Sequence, residues 1–325
     1  MRKIFLFLTW AGLILFGFQS AFAADYPSKV ITIVVPYSAG GPTDTIARLI
    51  AVPMGKALNG QIIIENVVGA GGTLAANRVA KAPPDGYTIF LHHIGHSTAP
   101  ALYRKLAYNP ITDFEPVGLV CELPMTLVAR KDFPPKDLKE LIAYVKANKT
   151  KINLANAGLG AASHLCGTLF MSAIETDLTT IPYSGTGPAM NDLLGGQVDI
   201  MCDQTTNTTS QIKAGKIKVY GVTSKKRVPS LPNVPTLDQA GLKGFEVTVW
   251  NGIYAPKGTP KPIIDRLVMA IHAALKDTTV KQRLADLGTE LVSEDRATPE
   301  ALRKQLKAEI DRWGPILKKA GVYAD

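Results

Sequence analysis

Cysteine is scarce in this sequence, with three residues among 325, at positions 121, 166 and 202. Their spacing fits none of the cysteine patterns that bind zinc. Three thiols permit at most one intramolecular disulfide, so a packed core must hold the fold. We expect Cys166 to be buried or to be bridged to Cys202.

A basic surface interleaved with aromatic residues, which nucleic-acid binding requires, is also missing. The formal net charge is +9, from 36 basic and 27 acidic residues, and Lys225-Lys226-Arg227 is the only compact basic triplet. We therefore expect no nucleic-acid partner. The modest positive field is of the sign that attracts anionic ligands.

Motifs of nucleotide-binding proteins and hydrolases are absent. The chain has no G-x-G-x-x-G, no phosphate loop and no G-x-S-x-G. His164 and Cys166 are two apart on a predicted helix, so they point in different directions. Asp44 and Asp203 are interpreted as caps or loop-fixing groups. We predict no enzyme and no cofactor; the alternative is a thiol- or histidine-dependent hydrolase of small carboxylate esters.

The sequence contains a single long apolar run, Ile4 to Phe18. It follows Arg2-Lys3 and precedes Ala21-Phe22-Ala23, a pattern typical of a secretory signal peptide. At about 15 residues the run is shorter than the roughly 20 needed to span a membrane. We predict a signal peptide at 1–23 and an exported protein.

Short apolar strands alternate with helical segments through most of the chain, as in Val30 to Val35 and the helix from Asp44 towards Leu58. This alternation predicts an α/β fold with mostly parallel sheets flanked by helices. After Trp250 only helices are expected. No low-complexity linker occurs, so we predict two lobes joined by crossing strands near 126–128 and 221–223. Lobe 1 comprises 24–125 plus 223–325, and lobe 2 comprises 126–222.

Small-residue loops follow several predicted strands, at residues 37–43, 68–73, 157–163 and 183–188. In open α/β sheets, ligands bind beyond the carboxyl ends of the strands, where such loops gather. The free N–H groups at the start of each following helix attract anions. The pattern predicts a carboxylate held by peptide amides, hydroxyls and ordered water in a cleft between the lobes.

The histidines of His92-His93-Ile94-Gly95-His96 suggest a metal cluster at first sight. On a helix, His92 and His96 would face the same way. However, His92 directly follows a predicted strand, and no carboxylate partner lies nearby in the sequence. We expect no metal site here.

Several motifs, in this order, resemble one family across essentially the whole mature chain: Pro36-Tyr37-Ser38-Ala39-Gly40-Gly41-Pro42-Thr43-Asp44, Val68-Gly69-Ala70-Gly71-Gly72, Pro84-Asp85-Gly86-Tyr87-Thr88, Ala162-Ser163-His164-Leu165, Pro182-Tyr183-Ser184-Gly185-Thr186-Gly187-Pro188-Ala189, Leu193-Leu194-Gly195-Gly196-Gln197-Val198-Asp199, Leu231-Pro232-Asn233-Val234-Pro235-Thr236 and Trp250-Asn251-Gly252. The chain resembles the Bug-type periplasmic solute-binding receptors of the tripartite tricarboxylate transporter system.

The resemblance implies a two-lobed periplasmic binding protein fold that closes around a small organic acid (a di-, tri- or aromatic carboxylate) and delivers it to a membrane permease. It also implies a periplasmic location, and we expect a monomer. A sensor that presents its closed form to a membrane kinase is an alternative role. The resemblance also implies which residues contact the ligand, and we include two glycines of the loop at 68–73. The full set is Tyr37, Ser38, Ala39, Gly41, Thr43, Gly71, Gly72, Ala157, Gly158, Ser163, Tyr183, Thr186 and Asp203. We add His92 and His96, as contacts to a distal carboxylate or an aromatic ring of the ligand.

Overall fold

A computed structural model describes residues 26–319, 321 and 323. The predicted signal peptide at 1–23 lies outside the described residues. Within the described part of the chain, no helix combines the length and the apolar character that a membrane crossing requires.

The first sheet has the strand order β2-β1-β3-β9-β4, and β10 also pairs with β4. Its strands are β1 (Ile31–Val35), β2 (Ile62–Asn66), β3 (Thr88–His93), the first part of β4 (Phe114–Arg130), β9 (Thr248–Pro256) and β10 (Glu290–Leu291). The helices that accompany it are α1 (Pro42–Leu58), α2 (Thr73–Ala80), α3 (Gly95–Leu102), α8 (Lys261–Lys276), α9 (Thr278–Asp286) and α10 (Pro299–Lys319).

The sequence explains why strand β1 and helix α1 form where they do. The β-branched run of β1 is almost completely buried, as expected for a strand covered by helices on both faces. Helix α1 begins at Pro42, whose fixed φ suits the first helical position. It ends before Asn59, which adopts the left-handed conformation that closes many helices.

The second sheet continues the order β4-β7-β5-β6, and β8 lies on the other side of β4. Its strands are the second part of β4, β5 (Asn153–Asn156), β6 (Thr179–Pro182), β7 (Ile200–Gln204) and β8 (Ile217–Val222). The helices that accompany it are α4 (Leu138–Asn148), α5 (Ala162–Ala173), α6 (Thr186–Leu194) and α7 (Thr205–Lys213).

Strand β4 belongs to both sheets. It pairs with β9 as far as Pro124 and with β7 from Met125 onwards, close to the crossing that the sequence predicts. Thr223 lies directly beside this point: its N–H donates to the Met125 carbonyl over 2.8 Å, and its hydroxyl oxygen accepts from the Met125 N–H over 2.8 Å. The two crossing segments are therefore hydrogen-bonded to each other.

The sheets are mixed rather than mostly parallel. Strands β1, β2 and β3 pair in parallel, as do β5, β6 and β7, whereas β9 and β4 run antiparallel to their neighbours. The expectation of helices alone after Trp250 was wrong, because this residue lies inside β9. A strand that returns from the other sheet pairs antiparallel, and the alternation of strands and helices cannot reveal it.

The described core forms one large cluster around the first sheet and smaller clusters around the second. Leu237 and Leu242 belong to a cluster of the second sheet. The segment 224–247 thus packs beside the second sheet before the chain returns at β9. The lobe boundaries stay a prediction. These contacts favour a boundary near residue 247, where the chain returns to the first sheet.

Candidate functional site

A narrow cavity of about 10 Å³, which is room for about one water molecule, lies where loops of the two sheets meet. Its walls come from residues that follow β1, β5 and β6 and from the last residues of β3 and β7. The carboxyl ends of strands are where an α/β fold binds its ligands. The residues that line this inner cavity are Tyr37, Pro42, Thr43, His93, Ala157, Ala161, Ala162, Ser163, Thr186 and Gln204.

The starts of four helices converge on the inner cavity. Helices α1, α5 and α6 begin at lining residues, and α7 begins directly after Gln204. None of the four helices has a side-chain hydrogen bond that caps its start. First-turn N–H groups have no partner within their own helix, and the helix dipole makes that end positive. The cavity is therefore suited to a negatively charged group.

The loop before α5 is held by its own hydrogen bonds. The Ala157 N–H donates to the Ser163 hydroxyl oxygen over 2.9 Å, and the Gly158 N–H donates to the Asn156 side-chain oxygen over 2.8 Å. These two amides are thus occupied within the protein, although the resemblance places them among the ligand contacts. The Ser163 hydroxyl acts as the acceptor in the bond from Ala157, so its own proton is available to donate to a ligand.

The loop before α1 is fixed by Asp44. Its carboxylate accepts from the Gly40 N–H and the Arg48 guanidinium, each over 2.9 Å, and from the Asn66 amide over 3.0 Å. Burial alone would raise the pKa of Asp44, but the bonds from Arg48, Gly40 and Asn66 outweigh it and lower the pKa. Asp44 is a loop-fixing group, as interpreted from the sequence.

Asp203 lies fully buried beside the inner cavity, at the end of β7. Its Oδ2 accepts from the Asn207 side chain over 2.6 Å, whereas its Oδ1 has no partner. Burial raises the pKa of Asp203 to about 7, against hydrogen bonds that lower it. The neighbouring Gln204 lines the cavity, and its Oε1 is also without a partner.

Loops from the two sheets touch at the mouth of the cleft. The Ser38 N–H donates to the Ser184 carbonyl over 3.1 Å. Ala39 and Gly41 face Gly187 closely: a methyl group at Gly187 would lie 3.0 Å from the Ala39 carbonyl and 3.2 Å from the Gly41 nitrogen.

A second cavity of about 410 Å³ lies outside this contact. Gly71, Gly72, Gly158 and Tyr183 are among its lining residues, and Tyr37 lines both cavities. The Tyr183 hydroxyl donates to Asp192 over 2.6 Å, so it is engaged within its own sheet.

Cys166 and Cys202 form a disulfide that joins α5 to β7. Both cysteines are buried, and both outcomes expected for Cys166, burial and a bridge to Cys202, are confirmed. A bonded sulfur offers no thiolate, so the structure contradicts a hydrolase that uses the Cys166 thiol. The bridge also ties together two elements that line the inner cavity.

The three histidines after Leu91 lie in one cluster, in which the His92 ring is 5.0 Å from His93 and 5.3 Å from His96, but they have different surroundings. His96 is packed among aromatic rings, stacked on Tyr108 and edge-on to Phe114. His92 is buried next to Gly72, and neither ring lines the inner cavity. His93, which the sequence interpretation left out, does line it. In the part of the chain that the structure describes, no group of three or more His, Cys, Asp or Glu side chains could hold a metal ion.

The predicted residues thus fall into several sets. Those that line the inner cavity are Tyr37, Thr43, Ala157, Ser163 and Thr186. Those at the mouth or in the outer cavity are Ser38, Ala39, Gly41, Gly71, Gly72, Gly158 and Tyr183. Asp203 lies behind Gln204, and His92 and His96 lie in the core. Sequence interpretation missed His93 and Gln204, each the last residue of a strand that ends at the cavity.

The mixed α/β fold, with a polar cavity enclosed between loops of two sheets, defines the chain as a binding protein of the periplasmic type. Residues 46–322 match the family model of the tripartite tricarboxylate transporter family receptor, and the chain belongs to this family. It is a family of solute-binding receptors and not of enzymes.

Solved structures of relatives have the same fold. The periplasmic binding protein BugD is 55% identical, with a TM-score of 0.90 over 92% of this chain and 100% of its own. MatC from Rhodopseudomonas palustris, solved with bound malate, is 46% identical, with a TM-score of 0.88 over 90% and 100% of the two chains. Rpa4515 from R. palustris, solved with adipate, is 34% identical, with a TM-score of 0.86 over 91% and 99%.

Proposed function

We propose that this protein holds a small organic dicarboxylate in the inner cavity and delivers it to the membrane permease of a tripartite tricarboxylate transporter. The observation that carries the proposal is the convergence of four helix starts without side-chain caps on one enclosed cavity. Backbone amides at such starts bind anions without help from a charged side chain. Among the described residues that line the cavity, none is lysine or arginine.

The relatives support this class of ligand. The free space inside the inner cavity is only about 10 Å³, so its loops must move apart to admit a dicarboxylate. Malate and adipate, bound by two relatives, are both aliphatic dicarboxylates. We infer that one carboxylate of the ligand lies at the helix starts and that neutral polar groups contact the rest of the molecule.

The mechanism follows from the position of the cavity between loops of both sheets. A ligand there contacts both sides and stabilises the closed arrangement, which the permease then recognises. The ligand shifts this equilibrium only by as much as it prefers the closed state. The predicted signal peptide at 1–23 would export the protein to the periplasm, where receptor and permease meet.

A thermal-shift series tests the proposal. The protein is unfolded and refolded to remove carried-over ligand, then heated with malate, adipate or the diamide of each acid. At about 100 times its dissociation constant, an acid should add roughly 2.7 kcal/mol, which for a chain of this size raises Tm by about 5–10 °C. The diamides, which lack the negative charge, should have no effect. No shift with any acid, or equal shifts with the diamides, would contradict the proposal.

A further inference from the structure

Strand β3 ends in two histidines, and only the second reaches the inner cavity. The two rings lie side by side, with centroids 5.0 Å apart, but only His93 is among the residues that line the inner cavity. His92 packs towards Phe90 with ring centroids 5.0 Å apart, and its Nδ1 has no partner. His93 lies with Thr43 and Ser163 in the cavity wall.

Two contacts fix the His93 ring in place. It stacks on the Tyr37 ring, with centroids 4.9 Å apart and planes inclined by 15°. Its Nδ1 accepts a hydrogen bond from the Gly95 N–H over 2.9 Å. With one face against Tyr37 and one nitrogen engaged, the ring nitrogen left to meet a ligand is Nε2.

The bond from Gly95 also decides the protonation state of the ring. A neutral imidazole carries one N–H, and an Nδ1 that accepts from an amide cannot hold the proton. Burial lowers the pKa of His93 to about 3, so the ring is neutral at physiological pH. His93 therefore offers a neutral Nε2–H donor to the cavity, in a ring that cannot easily turn.

We propose, on the basis of the function proposed above, that His93 determines ligand specificity by donating its Nε2–H to an oxygen of the bound acid other than those of the carboxylate at the helix starts. His93 forms part of the wall of this narrow cavity, so an acid that enters between the loops lies against the ring. A second carboxylate or a hydroxyl group satisfies the donor. A methyl group at the same place leaves a buried N–H unpaired, which is costly. The receptor should therefore select dicarboxylates and hydroxy acids over monocarboxylates of equal chain length.

Isothermal titration of the wild type and three variants with malate, and with butyrate as the monocarboxylate of equal length, tests this role. H93F keeps a ring against Tyr37 but removes the donor, whereas H93Q supplies an N–H at a similar reach. H96F makes the same replacement in the aromatic cluster and serves as the matched control. We expect H93F to weaken malate binding about 10- to 100-fold, the range found when a buried polar partner is lost. H93Q should recover most of the affinity, and H96F should bind malate as the wild type does.

The preference for malate over butyrate should fall in H93F by the same factor as the malate affinity. Malate binding by H93F at wild-type strength, or an equal loss for both acids, would overturn the specificity role and leave the receptor function standing. A wild type that binds neither malate nor any other acid would overturn the receptor function itself.

A spectroscopic measurement on the wild type covers the case in which H93F does not fold. In the ¹⁵N spectrum of the imidazoles, the His93 signals are those missing from H93Q. They should show a neutral ring with the proton on Nε2, and the Nε2–H signal should shift when malate is added. A proton on Nδ1, or a His93 signal that malate leaves unchanged, would overturn the proposal.

Discussion

The backbone N–H of Ser38 donates to the carbonyl oxygen of Ser184 over 3.1 Å, and the two hydroxyl oxygens lie 2.8 Å apart. The two residues are 146 positions apart in sequence and come from loops of different sheets. On the other side of the cleft, the Tyr103 hydroxyl lies 2.7 Å from the Ala70 carbonyl and 2.8 Å from the Leu159 carbonyl. The structure is therefore a closed form, in which direct contacts between the loops contribute to closure.

A disulfide across the mouth should lock this closed form. In S38C/S184C the two sulfurs would stand where the hydroxyl oxygens now lie 2.8 Å apart. After oxidation the mouth cannot open, so we expect stripped protein to take up malate at least tenfold more slowly than the wild type. Mild reduction should restore uptake, and each single variant serves as a control. Uptake by the oxidised double variant at the wild-type rate would show that ligand enters by another route.

A methyl group at Gly71 should hold the mouth apart. It would lie 1.7 Å from the Leu159 carbonyl oxygen, which belongs to the opposite loop. G215A is the matched control, because Gly215 has a φ of +63° against +60° for Gly71 and has open space around it. Both variants carry a similar backbone penalty of roughly 1–2 kcal/mol, but only G71A should lose malate affinity, by at least tenfold. Equal affinities in titrations of the two variants would contradict closure by this contact.

The disulfide between Cys166 and Cys202 should stabilise the folded state. It closes a loop with a sequence separation of 36, for which chain entropy predicts about 4 kcal/mol, or a fall in Tm of about 10 °C in C166A/C202A. C121A, which removes the free buried thiol, is the control, and its Tm should fall by less than that of the double variant. Strong reductant should lower Tm in the wild type and in C121A, but not in the double variant. A double variant that melts with the wild type would refute this role.

Asp203 should make the stability of ligand-free protein fall as pH rises. Its pKa is 3.8 as a free side chain and about 7 in the fold, so between these values the folded state holds a proton that the unfolded state releases. Stability therefore decreases by on the order of 1 kcal/mol per pH unit across this window. D203N keeps an acceptor for Asn207 and lacks the titration, so its Tm should exceed that of the wild type increasingly from pH 4 to 7.

Asp44 provides the control of opposite sign for this measurement. The pKa of Asp44 is lowered in the fold, so its contribution is present above its ordinary pKa and is lost as the pH falls through the lowered value. D44N should therefore lower Tm more at pH 7 than at pH 3. Parallel pH profiles of the wild type and D203N would show that Asp203 is not the titrating group.

The sequence identified loops that surround the inner cavity but not which of the strand residues line it. Loops 37–43 and 157–163 could be identified because runs of small residues between a strand and a helix are typical of ligand-binding loops in α/β folds. His93 and Gln204 were not, because strands β3 and β7 are buried on both faces. Without an exposed face there is no alternation of polar and apolar residues to show the orientation of a strand. An error of one residue in the predicted orientation of a strand then assigns His92 to the cavity in place of His93, or Asp203 in place of Gln204.

Strand β9 escaped prediction for a related reason. Residues 248–256 contain Gly252 and Asn251, which are uncommon in strands, and helices follow them directly. Tertiary packing favours glycine at 252, because a methyl group there would lie 2.6 Å from the Leu302 side chain, which would have to shift. The pairing of β9 with both β3 and β4 joins segments far apart in sequence, and local patterns contain no information about such pairing.

The decisive measurement is a crystal structure of the protein with bound malate. We expect one carboxylate inside the inner cavity, with its oxygens 2.7–3.2 Å from first-turn amides of at least two of the helices α1, α5, α6 and α7. Malate seated elsewhere, or held chiefly by lysine or arginine side chains while the amides face other groups, would contradict it.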